Sequence, residues 1–247
     1  SALLVGISLC YEEQTSYYIP INHTNIDGSK KIENQLEEKY VINQIHKISN
    51  NDAILKIGQN IKYDIRILNK YGVYFKSIAD TMLISYSIDN GIYKHNLDDL
   101  SFNHLNHNTI KYKDLVGTGK NEITFDKVSI ENAVNYAAED SLLTYKLFLN
   151  LYPRLIKERA NFVYQNIDLP LVEVLSKIEQ NGIEVNKNFL TKLSKDFEKE
   201  SKKLELNIYK LSNEEFNIGS PKQLGEILFI NLKIPGGKKT KSGTYST

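Results

Sequence analysis

Lys56-Ile57-Gly58-Gln59-Asn60-Ile61-Lys62-Tyr63-Asp64 is the stretch that decides the fold. Ala53 to Ile57 reads as a short strand closed by Gly58. Ile61, Ile65 and Leu68 then recur at helical spacing up to Tyr71-Gly72, where glycine supplies the left-handed residue of a helix stop. A strand passing directly into a helix is an α/β signature, and acids just past a strand end stand where such folds place chemistry. Taken alone, Asp64 is better read as an acid favoured by the helix dipole in a first turn.

Toward the N-terminus, Leu3 to Leu9 and Tyr17 to Ile21 are strand-like runs around the polar turn Glu12-Glu13-Gln14-Thr15, which makes a hairpin. Val41, Ile42, Ile45 and Ile48 follow a helical period. Downstream, helices are expected over Thr81 to Ile88 and Asn96 to His104. The strongest helical pattern of the first half covers Val128 to Leu151, with Pro153 expected to end it. Tyr136 and Asp140, four residues apart, share one face of that helix. Ala137, Leu143 and Thr144 surround Asp140 and allow another element to come close. A carboxylate there is costly to bury unless it is paired or binds a metal. On this helix alone, an Asp pointing to water is the simpler reading.

From Leu155 the texture changes to long helices, one running to Gln180 before Gly182. Asn186 is placed to cap the next, which bears Phe189, Leu190, Leu193, Phe197, Leu204 and Ile208. Ser220-Pro221 starts a last helix to about Asn231, and the Gly-rich, basic tail Pro235 to Gly243 is expected to be mobile. No internal repeat is visible.

With 247 residues, 41% of them hydrophobic, the chain can bury a sizeable core. One cysteine, Cys10, excludes an internal disulfide or a cysteine metal cluster and reads as a small core residue. Net charge is +1, but residues 1 to 150 carry 15 Lys+Arg against 18 Asp+Glu, and residues 151 to 247 carry 16 against 12. An acidic half beside a basic half suits a metal-using site next to a phosphate-contacting arm, although chance gives a difference this small. No signal peptide and no long apolar run is present, so a cytoplasmic protein without membrane association is expected. Gly117-Thr118-Gly119-Lys120 lacks P-loop spacing and reads as a turn.

These phrases occur in a telling order. Lys56 to Asp64, Asp80-Thr81-Met82-Leu83, His95-Asn96-Leu97-Asp98-Asp99-Leu100 and Tyr136-Ala137-Ala138-Glu139-Asp140 closely resemble the 3′-5′ proofreading exonuclease domain of bacterial family A DNA polymerases, the DNA polymerase I type. Pro170 to Leu175, Ile178 to Ile183, Phe216 to Leu224 and Lys239 to Gly243 look like the entry to the polymerase thumb. Essentially the whole chain is covered.

The resemblance implies an α/β, RNase H-like exonuclease domain over residues 1–155, a mixed sheet flanked by helices, followed by an α-helical arm over 156–247 that begins the thumb. It implies removal of nucleotides from DNA 3′ ends with two divalent ions, Mg or Mn, about 3.5 to 4 Å apart. Asp64 and Asp140 would be the metal ligands, and Tyr136 would orient the attacking water as a third catalytic residue. Gln59, Asn60 and Tyr63 would hold the frayed single strand. Tyr112, between Lys111 and Lys113, would offer a ring for base stacking, a loop tyrosine on the core being the alternative. Lys238, Lys239 and Lys241 would contact the primer-template backbone through the thumb.

The whole enzyme would be a monomeric DNA-directed DNA polymerase serving replication and repair. The family also carries an Asp-x-Glu pair on a strand that would precede Ser1, so the chain as given is expected to show little or no nuclease activity by itself. An RNA-trimming exonuclease of the same fold and a non-catalytic DNA-binding scaffold are the alternatives. The thumb-like segment speaks against the first.

Overall fold

A computed structural model describes residues 3–240 and 243–246, arranged as two compact units, Ser1–Gly182 and Ile183–Thr247. The expected hairpin is present: β1 (Gly6–Glu12) pairs antiparallel with β2 (Thr15–Pro20), Gly6 opposite Pro20 and Leu9 opposite Tyr17. Position 6 must be glycine, because a Cβ there would lie 2.2 Å from the Tyr18 phenol oxygen. That phenol reaches Nε2 of the fully buried His23 at 2.7 Å, and Nδ1 of the same ring lies 3.1 Å from the Val128 carbonyl. Against the hairpin packs α1 (Glu38–Ser49). Its Val41 and Ile45 join Leu4, Ile21, Leu68 and Val73 in one apolar cluster.

Next comes a βαβ unit. β3 (Lys56–Gly58) runs parallel to β4 (Ile78–Asp80), Gly58 opposite Asp80, and α2 (Ile61–Asn69) is the crossover. Gly58 is required by close approach, since a Cβ there would sit 2.8 Å from the Ile61 side chain. α3 (Thr81–Asp89) springs directly from β4, followed by α4 (Leu97–Leu105), α5 (Tyr112–Val116) and the long α6 (Ile130–Lys157). α6 packs on both ribbons as well as on α3 and α4. The mixed sheet expected from the sequence is therefore in two pieces, one antiparallel and one parallel. Among the described residues no strand pairing joins them.

Pro153 does not end α6, which continues to Lys157. Leu151 and Leu155, on either side of the proline, are both fully buried with Ile84, Leu100, Leu147 and Tyr164. Arg154 adds a clamp. Its two terminal nitrogens each lie 2.8 Å from an oxygen of Asp89, its Nε bonds Glu158 at 2.7 Å, and Tyr93 donates its phenol to the same Asp89. Burial and this bidentate pair outweigh the backbone bond that proline forfeits. The helix breaks instead at Arg159, whose φ of 60° is left-handed. α7 (Asn161–Val163), a π turn (Tyr164–Asp168) and α8 (Leu169–Asn181) follow where one continuous helix was expected. Because Tyr164 and Val172 are buried among first-unit residues, this compact unit extends to Gly182, beyond the expected domain edge at 155.

One buried side chain ties the elements around α2 together. Asp80 is 1% exposed. Its Oδ1 accepts the backbone N–H groups of Asn60 (3.0 Å) and Met82 (2.9 Å), and its Oδ2 accepts that of Ile61 (3.0 Å). It thus caps the first turns of both α2 and α3. Its own N–H donates to the buried Tyr164 hydroxyl at 3.1 Å. Burial pushes the Asp80 carboxyl up, and the surrounding N–H groups pull it back.

In the second unit, the Asn186 side chain caps α9 (Lys187–Ser212) by accepting from the Phe189 N–H at 2.9 Å. Ser220 caps α10 (Pro221–Glu226), which passes into a π turn ending at Asn231. Lys239 bridges to Tyr245, whose ring lies 4.9 Å from that of Phe229, with the Lys239 ammonium 5.5 Å from its centre.

Replacing Asp80 by Ala orphans three buried donors at two helix starts. The loss should be about 3 kcal/mol by urea denaturation, with Tyr164→Phe costing about 1 kcal/mol. An unchanged urea midpoint for Asp80→Ala would contradict the double-cap assignment.

Candidate functional site

The turn from β3 into α2 delivers Asp64. Asn60 takes a left-handed conformation (φ 57°, ψ 49°), its N–H and that of Ile61 are held by Asp80, and Asp64 follows in the first helical turn. Water reaches the Asp64 side chain, yet protein packed densely around it desolvates the carboxyl. With the charge of Asp80 adding to this, the group is pushed up to about 7.

Asp140 is half-buried on α6, and desolvation pushes it up to about 7 as well. The Tyr136 hydroxyl, one turn earlier, opposes that rise, while the charges of Glu139 and Asp98 add to it. Tyr136 itself is driven well above the ordinary tyrosine range, first by burial and then by Asp140. It therefore stays protonated and acts as a hydrogen-bonding phenol, not as a base.

Three rings gather on the Asp140 side. Tyr112 stacks on Phe125 (6.1 Å, 19°), and each lies 6.0 Å from the Tyr136 ring. Tyr112 opens α5 and does not sit in a loop, and it remains 48% exposed despite these contacts. Tyr63, beside Asp64, is 57% exposed. Because α6 packs on β3, whose end turns into α2, the α2 half and the α6 half of the site adjoin. No hydrogen bond links Asp64 to Asp140, and among the described residues no three His, Cys, Asp or Glu side chains cluster to cage a metal. Two carboxylates can still serve a hard cation whose remaining ligands are water and substrate phosphate, which is how Mg²⁺ is commonly held.

The other expected contacts divide. Both ends of the Gln59 amide are engaged internally, its nitrogen on the His95 carbonyl (2.8 Å) and its oxygen on the Thr81 hydroxyl (2.6 Å). Lys238 and Lys239 belong to the second unit, and Lys241 lies outside the described residues. Two neighbours carried no sequence signal of a role. Phe125 completes the aromatic trio. Asp98, held by Lys111 at 2.7 Å and by Thr109, extends its field to Asp140 and Tyr136. Glu139 is fixed by His107 and the Ile110 N–H, each at 2.8 Å.

Residues 1–156 match the family described as 3′-5′ exonuclease, and residues 187–247 match DNA polymerase family A. The chain is 40% identical to a DNA polymerase I of Rhizobium leguminosarum, over 100% of its own length and 26% of that protein. It is 37% identical to a DNA polymerase I of Pseudomonas aeruginosa, over 100% of its length and 27% of that protein. It thus spans about a quarter of these relatives. Among solved structures, the POL domain of Pol1 from M. smegmatis, in complex with DNA primer-template and dNTP, superposes with a TM-score of 0.59 at 21% identity. That match covers 93% of this chain and 36% of the other and establishes likeness of fold.

Asp64 and Asp140 hold protons in the native chain between about pH 4 and 7, where the unfolded chain has released them. Their contribution to stability is therefore lost as pH rises through that window and levels off above about 7. Asp64→Asn should raise Tm in EDTA by about 3 °C at pH 8, a value discounted for solvent access, and by less at pH 5. Scanning fluorimetry at the two pH values checks this; equal gains at both would contradict it.

Proposed function

The chain belongs to the 3′-5′ exonuclease family of the family A DNA polymerases, and from that premise we propose that residues 1–155 form an RNase H-like proofreading domain. Residues 156–247 begin the thumb, whose basic residues Lys238, Lys239 and Lys241 contact the primer-template backbone. The parent protein would be a DNA polymerase I acting in replication and repair. The observation that carries this reading is the pair of acids from separate elements, Asp64 and Asp140, both raised to about 7, with the Tyr136 phenol set against one of them.

Carboxylates held near neutrality by desolvation gain most from an arriving cation, so Asp64 and Asp140 are the residues that would hold divalent metal. When bound, two such ions supply an activated water and a counter-charge for the leaving 3′ oxygen. Tyr136, protonated throughout, orients that water by hydrogen bonding. Asp98 and Glu139, fixed by Lys111 and His107, keep the field at Asp140 negative. Tyr63, Tyr112 and Phe125 offer faces on which the terminal bases stack regardless of sequence, as a proofreading site must allow. Asn60 and Gln59 shape the turn beneath them. The family A match over 187–247 favours DNA over RNA trimming.

Mn²⁺ titration followed by electron paramagnetic resonance tests the assignment. Binding should strengthen from pH 6 to pH 8 as the acids release protons. Asp64→Asn and Asp140→Asn should each weaken it about tenfold or more, while Tyr136→Phe leaves it nearly unchanged. Absence of Mn²⁺ binding at pH 8 would sink the reading.

A further inference from the structure

The other side of α2 carries a feature that the acid pair does not use. Lys62, Arg66 and Lys70 recur every four residues and so form one ridge about 12 Å long. Beside it, the C-terminal end of α8 closes a recess of about 530 Å³, lined among others by Tyr63, Arg66, Lys70, Glu179 and Gln180. Glu179 reaches back to α2 and holds Lys62 Nζ and Arg66 Nη1, each at 2.6 Å. Gln180 donates to the Asn69 amide oxygen at 3.3 Å once that amide is oriented by its bonds to the Ile65 and Val73 carbonyls.

A purely structural brace between α2 and α8 accounts for Glu179, since Ile61, Ile65 and Val172 pack beneath it. It leaves two things unexplained. Lys70 lines the recess with no carboxylate partner among the described residues, and the buried Nε of Arg66 has no acceptor. Arg66 and Lys70 line the recess against the single carboxylate of Glu179, so the recess keeps an excess of positive charge. An anion with oxygens to accept from the exposed end of the Arg66 guanidinium and from Lys70 answers that excess. Tyr63 lines the same recess while adjoining Asp64 in the chain, which makes it the link between the recess and the acids.

We infer that this recess binds a backbone phosphate of single-stranded DNA, just upstream of the terminal nucleotide placed at Asp64. This rests on the proofreading reading for its choice of DNA and for the polarity of the strand. Arg66 supplies the directional donor and Lys70 a mobile point charge. Glu179 aligns Arg66 at the cost of some repulsion toward the phosphate.

The test is the binding of fluorescein-labelled oligo-dT to the full chain in EDTA, read by anisotropy across salt concentrations, so that metal and turnover play no part. Lys70→Glu should weaken binding about fivefold or more and flatten the salt slope by about 0.7. Glu179→Gln, which keeps the side chain's size and removes its charge, should tighten it. Wild-type affinity and slope in both variants would overturn the subsite, as would polyglutamate of equal length competing as well as oligo-dT. Mn²⁺ binding separates the two readings: Lys70→Glu should retain it, and Asp64→Asn should weaken it about tenfold or more.

Discussion

A single buried carboxylate holds the starts of α2 and α3 in place. Asp80 accepts N–H groups from the starts of α2 and α3 at once, and its backbone is held by Tyr164 from a third element. Two helix N-termini converge on it, and their combined dipoles offset the cost of burying an acid. Every residue named in the α2 half of the site inherits its position from that arrangement: Asn60 directly, Tyr63 and Asp64 within the turn that follows, and the ridge of cations behind them.

The same carboxylate sets the electrostatic character of the neighbourhood. Its charge adds to the desolvation that lifts Asp64, while Asp98 and Glu139 do the corresponding work around Asp140. Both carboxyls thus sit in surroundings that disfavour their charged forms. On the opposite face of α2 the sign is reversed, with more positive than negative charge around the recess. One nine-residue helix separates a surface suited to metal from one suited to phosphate.

Much of this was legible in the residue string, for identifiable reasons. The strand-to-helix turn at Gly58, the caps Asn186 and Ser220 and the stop near Gly72 are local decisions, made by residues within a few positions of each other. What escaped were outcomes settled at a distance. Pro153 sits mid-helix because Asp89, far away in sequence, clamps Arg154. β4 is three residues long and exists because β3 pairs with it. The segment around Tyr245 packs back because Phe229 offers it a ring to lie against. Within the site, Asp64, Tyr136 and Asp140 stood out through wording and spacing. Phe125 and Asp98 did not, since an aromatic in a polar loop and an acid in a helix's first turn have commonplace local explanations.

α6 works as a mechanical element. Its 28 residues join the aromatic trio and Asp140 near one end to the Asp89 clamp near the other. From Asp140 to Arg154 is 14 residues, about 21 Å of nearly rigid rod. The clamp therefore behaves as the fixed end of a lever: a small tilt there sweeps the acid through a larger arc. The aim of Asp140 is thus stored in an ion pair about 21 Å away from it.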